Sequence, residues 1–230
     1  ISTAPALALF LDFDGTISQI VESPSLATID PGIRAVLGEL VLTPNVDIAI
    51  VSGRSLADVR ERANLQGVIY AGNHGLEIES DTICFREPQA EALRLELRHL
   101  VLQLELALSE TSGLEIEHKG LSASIHYRGL ESSLHDWLRR TVEETVERSR
   151  SFTTRQGKMV FEVRPRVDWH KGHAISWILD RVLPAGALPV FIGDDVTDED
   201  AFASLPDAIT IRVGVSPNTK ASYFVEDVPA

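Results

Sequence analysis

Short apolar runs alternate with amphipathic segments near both ends of the chain. Mostly apolar residues fill the runs 7–11, 46–51, 68–71, 189–192 and 208–213. Runs of this length without polar alternation are typical of strands that are buried on both faces of a parallel sheet. Helical periodicity is found between them, over residues 31–40, 56–63 and 171–183. The alternation of strands and helices predicts an α/β core around a parallel sheet, with right-handed crossovers.

The middle of the chain has a different pattern. After a predicted hairpin, a helix followed by two strands occurs twice, over residues 89–109, 114–117, 122–127, 134–145, 152–155 and 159–163. This order predicts an α+β unit with antiparallel strands. We therefore expect a discontinuous Rossmann-like core, residues 1–86 and 166–230, that carries an inserted α+β cap domain, residues 87–165.

The predicted helix over residues 89–109 is unusually rich in leucine. One stripe at helical spacing comprises Leu93, Leu97, Leu100, Leu104 and Leu108. Three further leucines, Leu95, Leu102 and Leu106, widen the apolar surface beyond one face. The pattern predicts that this helix is buried on two sides.

Composition and charge exclude or disfavour several classes of partner and binding site. With 21 basic and 34 acidic residues, the formal net charge is −13, which disfavours nucleic acid as a partner. An acidic protein also repels an anionic substrate, so a phosphate site would need local cations or a metal. The single cysteine, Cys84, excludes an intramolecular disulfide and a cysteine-rich zinc site. No apolar run approaches the ~18 residues of a membrane helix, so we expect a cytoplasmic protein without a membrane partner. We also expect a monomer.

Polar residues that can do chemistry follow the predicted parallel strands. Asp12 and Asp14 follow the first strand, Ser52 and Arg54 the second, and Asp194 and Asp195 a late one, while Lys171 begins a helix. In an open parallel sheet, ligands bind beyond the carboxyl ends of the strands. We expect these segments to meet at one edge of the sheet.

Two carboxylates spaced two residues apart can divide the work of phosphate transfer. Asp12 or Asp14 can attack phosphorus while the other acts first as an acid and then as a base. Carboxylates this close repel one another, and a set of oxygen ligands favours Mg²⁺, with Asp194 as a third anchor. Ser52 and Lys171 would hold the phosphoryl oxygens and stabilise charge during transfer.

Each segment also has a simpler interpretation. Asp12 and Asp14 are common residues in a turn after a strand. The acidic run 194–200 could be a solvated loop in which Asp198 caps a helix, and Ser52 could be a helix cap. Lys171 could be an ordinary surface lysine. Four coincidences at four strand ends would be needed together, which favours a functional site.

The same residues resemble motifs of a known family. Residues 9–16, Ser52, Lys171 and residues 193–195 resemble, in order, the four motifs of the haloacid dehalogenase superfamily, and the insertion resembles its type 2 cap. Within that superfamily the chain resembles the trehalose-6-phosphate phosphatases, through the segments 71–75, 124–128, 157–158, 162–165 and 193–202. The resemblance extends over about residues 7–215.

The resemblance implies a Mg²⁺-dependent phosphatase of trehalose 6-phosphate. Asp12 would be the nucleophile, Asp14 the acid and then the base, and Ser52 and Lys171 the remaining catalytic residues. The metal would be bound by Asp12, by the Asp14 carbonyl and by Asp194, with Asp195 and Asp198 nearby. Residues that would bind the phosphorylated disaccharide are Arg54, Glu117, Lys119, Arg128, Lys158 and Glu162.

Alternatives remain open at this point. The charged cap residues could be ordinary cross-strand pairs on an exposed sheet face, and Asn73 and His74 are best interpreted as a structural turn. Sucrose phosphate or mannosyl-3-phosphoglycerate could be the substrate. A non-catalytic sugar-phosphate sensor or a two-component receiver is a third possibility, although a receiver has no use for Asp14 or for a cap.

Overall fold

The computed structural model describes residues 4–21 and 24–228, in two compact units. Unit 1 holds the described residues up to Phe85 and those from Trp169 onward, and unit 2 holds Arg86–Asp168. The first part of unit 1 contains β1 (Leu7–Leu11), α1 (Pro31–Val41), β2 (Val46–Val51), α2 (Leu56–Ala63), β3 (Ile69–Gly72), β4 (Glu77–Glu79) and β5 (Cys84–Arg86). Within the described ranges, no helix is long and apolar enough to cross a membrane.

Unit 2 is an antiparallel sheet with helices packed on one face. Its elements are α3 (Pro88–Ala92), α4 (Arg94–Leu108), β6 (Glu115–His118), β7 (Ala123–His126), α5 (His135–Glu147), β8 (Phe152–Gly157) and β9 (Val160–Pro165). The strands lie in the order β6-β7-β9-β8. One apolar cluster joins the leucine stripe of α4 and the apolar face of α5 to alternate residues of the strands, among them Ile125, Phe152 and Phe161. The period of two in the strands leaves the opposite face polar.

Two details of the leucine-rich helix differ from the prediction. The helix is interrupted at Leu93, so that α3 and α4 are separate elements. The prediction that Leu95, Leu102 and Leu106 are buried is wrong, because their exposed fractions are 71%, 54% and 78%. The stripe that includes Leu97 and Leu104 is enough to cover the sheet, and in the described part of the chain the remaining leucines of α4 face outward.

The last part of unit 1 completes its sheet. It adds α6 (Lys171–Arg181), β10 (Leu188–Gly193), α7 (Val196–Ser204), β11 (Ile209–Val213) and β12 (Tyr223–Val225). The eight strands lie in the order β12-β11-β10-β1-β2-β3-β4-β5, and the pairs from β12 to β3 are all parallel. The α/β core with a parallel sheet is thus confirmed, and the β3–β4 pair is antiparallel.

Apolar residues cover both faces of this sheet. Phe10 and Phe191 point to one face, where they pack with residues of α6 and α7, and Leu11 and Ile50 point to the other face, where they pack with residues of α1 and α2. β1 lies next to β10, and the chain continues from β1 to β2 on one side and from β10 to β11 on the other side. A crevice that accepts ligands forms at such a switch point in open α/β sheets.

Candidate active site

The predicted residues meet beyond the carboxyl ends of β1, β2 and β10. Asp12 follows β1, Ser52 follows β2 and Asp194 follows β10, three adjacent strands of one parallel sheet. Lys171 is the first residue of α6, and its side chain lies in the same group. The topology thus brings together residues that are up to 182 positions apart, from Asp12 to Asp194.

A buried lysine links two buried aspartates at the centre of the site. The ammonium of Lys171 donates hydrogen bonds of 2.6 Å to Oδ1 of Asp12 and of 2.6 Å to Oδ1 of Asp198. The side chains of these residues are 2%, 6% and 0% exposed, respectively. Interpreting Lys171 as a surface lysine is therefore wrong. A cation that is fully withdrawn from water is tolerated because two carboxylates surround it.

Burial and charge shift the pKa values of this group. Burial raises the pKa of Asp12 well above its ordinary range, and the positive charge of Lys171 only partly offsets it. Burial alone would lower the pKa of Lys171, but the charges of Asp12 and Asp198 outweigh it and raise that pKa. Burial, followed by the charge of Asp198, raises the pKa of Asp194 to about 6. Negative charge at this site is therefore only partly compensated by the chain's own cation.

Three carboxylates could hold a metal ion. Asp12, Asp194 and Asp198 each offer an oxygen, and these oxygens lie within 4.8 Å of one another. An all-oxygen donor set fits a hard divalent cation, and the raised pKa of Asp194 is the shift that a bound cation would reverse. Asp198 is partly occupied already, because its Oδ2 accepts from the backbone N–H groups of Asp194 and Asp195, each at 3.0 Å. Asp12 and Asp194 are the better-placed ligands.

The residue that caps α7 is Asp195 and not Asp198. Asp195 is exposed and caps α7, accepting from the Val196 N–H at 2.7 Å, whereas Asp198 is the third residue of that helix and is completely buried. The interpretation of Asp198 as the cap is wrong. As a functional residue, the sequence placed Asp198 near the metal and not beside Lys171. Its spacing of three from Asp195, which is that of a capping box, was the available signal for its position.

Glycine is required where the first strand ends. Gly15 has a φ of +84°, and a Cβ atom there would lie 2.1 Å from Oδ2 of Asp194. The hydroxyl of Thr16 donates to Oδ1 of the same carboxylate, at 3.5 Å. The segment after β1 therefore supplies Asp12, and its residues Gly15 and Thr16 contact the carboxylate of Asp194.

Ser52 is buried and does not cap a helix. Its Oγ accepts a hydrogen bond of 3.1 Å from the Arg54 N–H, and the cap of α2 is Ser55, whose Oγ accepts from the Asp58 N–H at 3.2 Å. The interpretation of Ser52 as a helix cap is therefore wrong. One hydroxyl at the carboxyl end of β2 is left in the site, beside the strand that carries Asp12.

Asn73 and His74 form a buried turn that supports the loop after β2. Their backbone N–H groups donate to the carbonyls of Arg54 and Ser52, at 2.7 and 2.8 Å. The side-chain amide of Asn73 donates to Glu77 at 2.6 Å. Both turn residues have positive φ angles, 51° and 58°, which ordinary side chains adopt at a cost. These contacts match the interpretation of the pair as a structural turn.

Arg54 lies against Asp14. Its Nε and Nη2 donate to the two carboxylate oxygens of Asp14, at 2.7 and 2.6 Å, and its Nη1 donates to Asp58 at 2.6 Å. Each of the three guanidinium nitrogens of Arg54, which the sequence assigned to the substrate, therefore donates to an aspartate of the chain. The opposing charges raise the pKa of Arg54 although burial acts to lower it.

The cap residues predicted to bind sugar lie on unit 2. Glu117, Ser124, Glu162 and Arg155 are successive partners across the sheet, on the face opposite the helices. Glu117 accepts from Nε2 of His126 at 3.3 Å and has Lys119 at 3.9 Å.

Two of the predicted cap residues lie at the end of the sheet. Arg128 follows β7, and Lys158 is in the turn between β8 and β9; both are exposed. Glu162, on the adjoining strand, forms an ion pair with Arg164. The structure therefore brings Glu117, Lys119 and Glu162 onto one polar surface and places Arg128 and Lys158 at its end.

Sequence comparisons identify close relatives of the whole chain. The profile of the trehalose-phosphatase family matches residues 10–229. The trehalose-phosphate phosphatase of Mycobacterium tuberculosis is 36% identical over 97% of this chain, and that of Mycobacterium marinum is 37% identical over 99%. The chain spans 58% and 60% of the length of these two relatives.

Solved structures agree with this fold. The crystal structure of a trehalose-6-phosphate phosphatase related protein superposes with a TM-score of 0.85 at 26% identity, covering 96% of this chain and 92% of that one. The C-terminal domain of the Candida albicans trehalose-6-phosphate phosphatase superposes with a TM-score of 0.81 at 21% identity, covering 99% of this chain and 90% of that one. The family profile covers nearly every residue, so the chain belongs to the trehalose-phosphatase family.

Proposed function

We propose that the chain hydrolyses trehalose 6-phosphate to trehalose and inorganic phosphate. The observation that carries the proposal is the buried pair of Asp12 and Lys171 at the switch point of the sheet, with Asp14 two residues along the chain. Family membership supplies the substrate, since the mycobacterial relatives are named trehalose-phosphate phosphatases.

The reaction needs two displacements at phosphorus. An oxygen of Asp12 attacks the phosphoryl group, the bond from phosphorus to the sugar oxygen breaks, and Asp14 gives its proton to that oxygen. Water then attacks the phosphorus of the aspartyl phosphate while Asp14 takes a proton from the water. The bond to Asp12 breaks, which releases inorganic phosphate and restores the Asp12 carboxylate and the protonated Asp14.

Lys171 and Ser52 support this exchange. Lys171 holds Asp12 at 2.6 Å and supplies a fixed positive charge where negative charge develops. It is itself held by Asp198, so it needs no rearrangement during the reaction. The Ser52 hydroxyl would donate to a phosphoryl oxygen from the neighbouring strand.

We propose Mg²⁺ as the cofactor, held by Asp12, Asp194 and the Asp14 carbonyl, with Asp195 and Asp198 beside these ligands. When bound, the ion would supply the positive charge that lets an acidic protein accept a phosphate. The all-oxygen donor set and the raised pKa of Asp194 support this assignment.

Removal of the metal tests this function directly. We expect selective phosphate release from trehalose 6-phosphate with Mg²⁺, loss of that release in EDTA, and recovery when Mg²⁺ is added back. A panel with sucrose 6-phosphate, glucose 6-phosphate and mannosyl-3-phosphoglycerate measures selectivity. Faster turnover of another sugar phosphate of the panel would contradict trehalose 6-phosphate as the substrate but would still agree with the proposed phosphatase mechanism. Absence of turnover would instead favour the sugar-phosphate sensor.

The charged face of unit 2 supplies the proposed contacts to the disaccharide. Glu117, Lys119, Arg128, Lys158 and Glu162 would bind its hydroxyl groups through charge-assisted hydrogen bonds. Two observations support the proposal. Three of these residues share one helix-free surface, and the carboxylates of Glu117 and Glu162 each lie beside a cation, Lys119 and Arg164 respectively.

Glu162→Gln should lower kcat/KM for trehalose 6-phosphate by about tenfold to a hundredfold, the value of one hydrogen bond to a charged group. Turnover of p-nitrophenyl phosphate, which lacks the disaccharide, should stay near wild type. Glu144→Gln, the same change on the exposed face of α5, is the matched control. An equal loss on both esters would contradict the assignment.

We also propose that the protein is a monomer and that it is located in the cytoplasm. Sedimentation of the purified chain at two concentrations checks its oligomeric state. A mass near 25.2 kDa at both concentrations would agree with a monomer, and a concentration-dependent increase would contradict it.

A further inference from the structure

Four charged side chains form a continuous series from α2 to Asp14. Nε of Arg62 donates to Oδ1 of Asp58 at 2.7 Å, and Oδ2 of Asp58 accepts from Nη1 of Arg54 at 2.6 Å. Nε and Nη2 of Arg54 then donate to the two oxygens of Asp14. Arg62 and Asp58 lie one turn apart on the same helix, and all four residues belong to unit 1.

Arg54 is held on three sides. Its side chain is 9% exposed, its guanidinium lies 5.3 Å from the centre of the Phe13 ring, and its three nitrogens donate to the carboxylates of Asp14 and Asp58. A planar guanidinium fixes the plane of a carboxylate that it binds through two parallel hydrogen bonds. The carboxylate of Asp14, by contrast, is 42% exposed and would rotate without this partner.

We propose that Arg54 is a positioning residue for Asp14 and that Asp58 and Arg62 hold Arg54 in place. The inference rests on the proposed function, in which Asp14 passes a proton twice at the same place. The two hydrogen bonds from Arg54 use one lone pair of each Asp14 oxygen, so the second lone pairs remain available for the proton. The orientation of Asp14 should have a large effect on the reaction rate, because a small misplacement of a reacting group slows the reaction strongly.

This role differs measurably from that of a substrate ligand. A ligand of the phosphoryl group contributes to binding, so its loss raises KM and weakens inhibition by inorganic phosphate. A positioning residue acts on proton transfer, so its loss lowers kcat and leaves both binding constants unchanged. The same comparison separates positioning from a purely structural role, which would change stability without this selective loss.

Arg54→Lys and Asp58→Asn are the informative variants. Lysine keeps the charge but cannot form two parallel hydrogen bonds, so we expect kcat for trehalose 6-phosphate to fall about a hundredfold. Asp58→Asn removes the charge that anchors Arg54, and we expect a loss of about tenfold. KM and the inhibition constant of inorganic phosphate should stay within about twofold in both variants. Glu61→Gln, on an exposed position of the same helix, should match wild type.

An aryl ester gives a second readout. Nitrophenolate leaves phosphorus without needing a proton, so Asp14 is required only to activate water in the second step. Arg54→Lys should therefore release one equivalent of nitrophenolate rapidly from p-nitrophenyl phosphate and then turn over slowly. Thermal unfolding of each variant identifies any loss of fold.

Three results would overturn the inference. One is an unchanged kcat in Arg54→Lys, and another is a rise in KM and in the phosphate inhibition constant without a loss of kcat. The third is the absence of a rapid first turnover with the aryl ester. If wild type hydrolyses only the aryl ester, the proposed substrate fails while the role of Arg54 is still measured. If wild type hydrolyses neither ester, both proposals fail.

Discussion

Asp12→Asn is expected to abolish phosphate release while the chain stays folded. An amide oxygen is a poor nucleophile toward phosphorus, and loss of the nucleophile removes the covalent route altogether. We expect kcat to fall by about 10⁴-fold or more, in line with nucleophile replacements in other hydrolases. Asparagine has the size of aspartate, its amide oxygen can still accept a hydrogen bond from Lys171, and Lys171 keeps Asp198 as a charged partner, so unit 1 should remain folded.

Phosphate release and thermal unfolding, measured on the same preparation, check this result. Asp81→Asn is the matched control, since Asp81 is exposed in the turn before β5 and should keep full activity. Residual turnover within about tenfold of wild type would contradict the assignment of Asp12 as the nucleophile. A collapse of the fold in Asp12→Asn would contradict the stability argument.

Lys171→Met should cost both activity and stability. The variant leaves Asp12 and Asp198 buried without the cation that each contacts at 2.6 Å. Removal of one partner from a buried ion pair costs about 3–5 kcal/mol, because the remaining charge is neither solvated nor paired. Methionine nearly matches the volume of lysine, so a cavity contributes little to the loss.

Denaturant unfolding in EDTA measures this effect, because no added cation can then replace the ammonium. Lys220→Met is the control, since the side chain of Lys220 is exposed and a loss below about 0.5 kcal/mol is expected there. A loss below about 1 kcal/mol in Lys171→Met would show that the two carboxylates tolerate burial without Lys171. Phosphate release by the same variant should be undetectable, and turnover near wild type would exclude a catalytic role.

Asp12→Asn removes an anion and Lys171→Met removes the cation of the same buried group, Lys171 with Asp12 and Asp198. Asp12 and Asp198 are acceptable in the interior because Lys171 lies between them, and Lys171 is acceptable because carboxylates contact it. A third acid, Asp194, adds negative charge to the site, and burial followed by the charge of Asp198 raises its pKa. The arrangement favours occupancy by a cation over further protonation of the acids at neutral pH.

The residues next to each strand were predictable from local pattern. An apolar run that ends at Asp12 predicts both a buried strand and an acid at its carboxyl end, and β1 with Asp12 matches this. The period of two along β9 likewise predicts that Phe161 and Glu162 face opposite sides of a sheet. Burial and period are properties of neighbouring residues, so a single sequence contains them.

Which side chains of a helix become buried by packing against other elements was not predictable in the same way. The sequence shows Asp195 and Asp198 as two acids of one run, yet the helix that starts between them buries Asp198 completely and leaves Asp195 exposed. Leu95 is another case, since its position in a leucine-rich helix does not reveal that the sheet covers only one face of α4. In both cases the result depends on what packs against the helix.

Local pattern was enough to predict the main helices and strands, the α/β core and the acids at strand ends, because hydrophobic period and strand-end residues are local. The contact of Lys171 with Asp12 across 159 positions and that of Arg54 with Asp14 across 40 follow from the folded chain alone. The reason is physical. A side chain's polarity states that it needs a partner when it is buried, whereas the order of strands in the sheet decides which partner it meets.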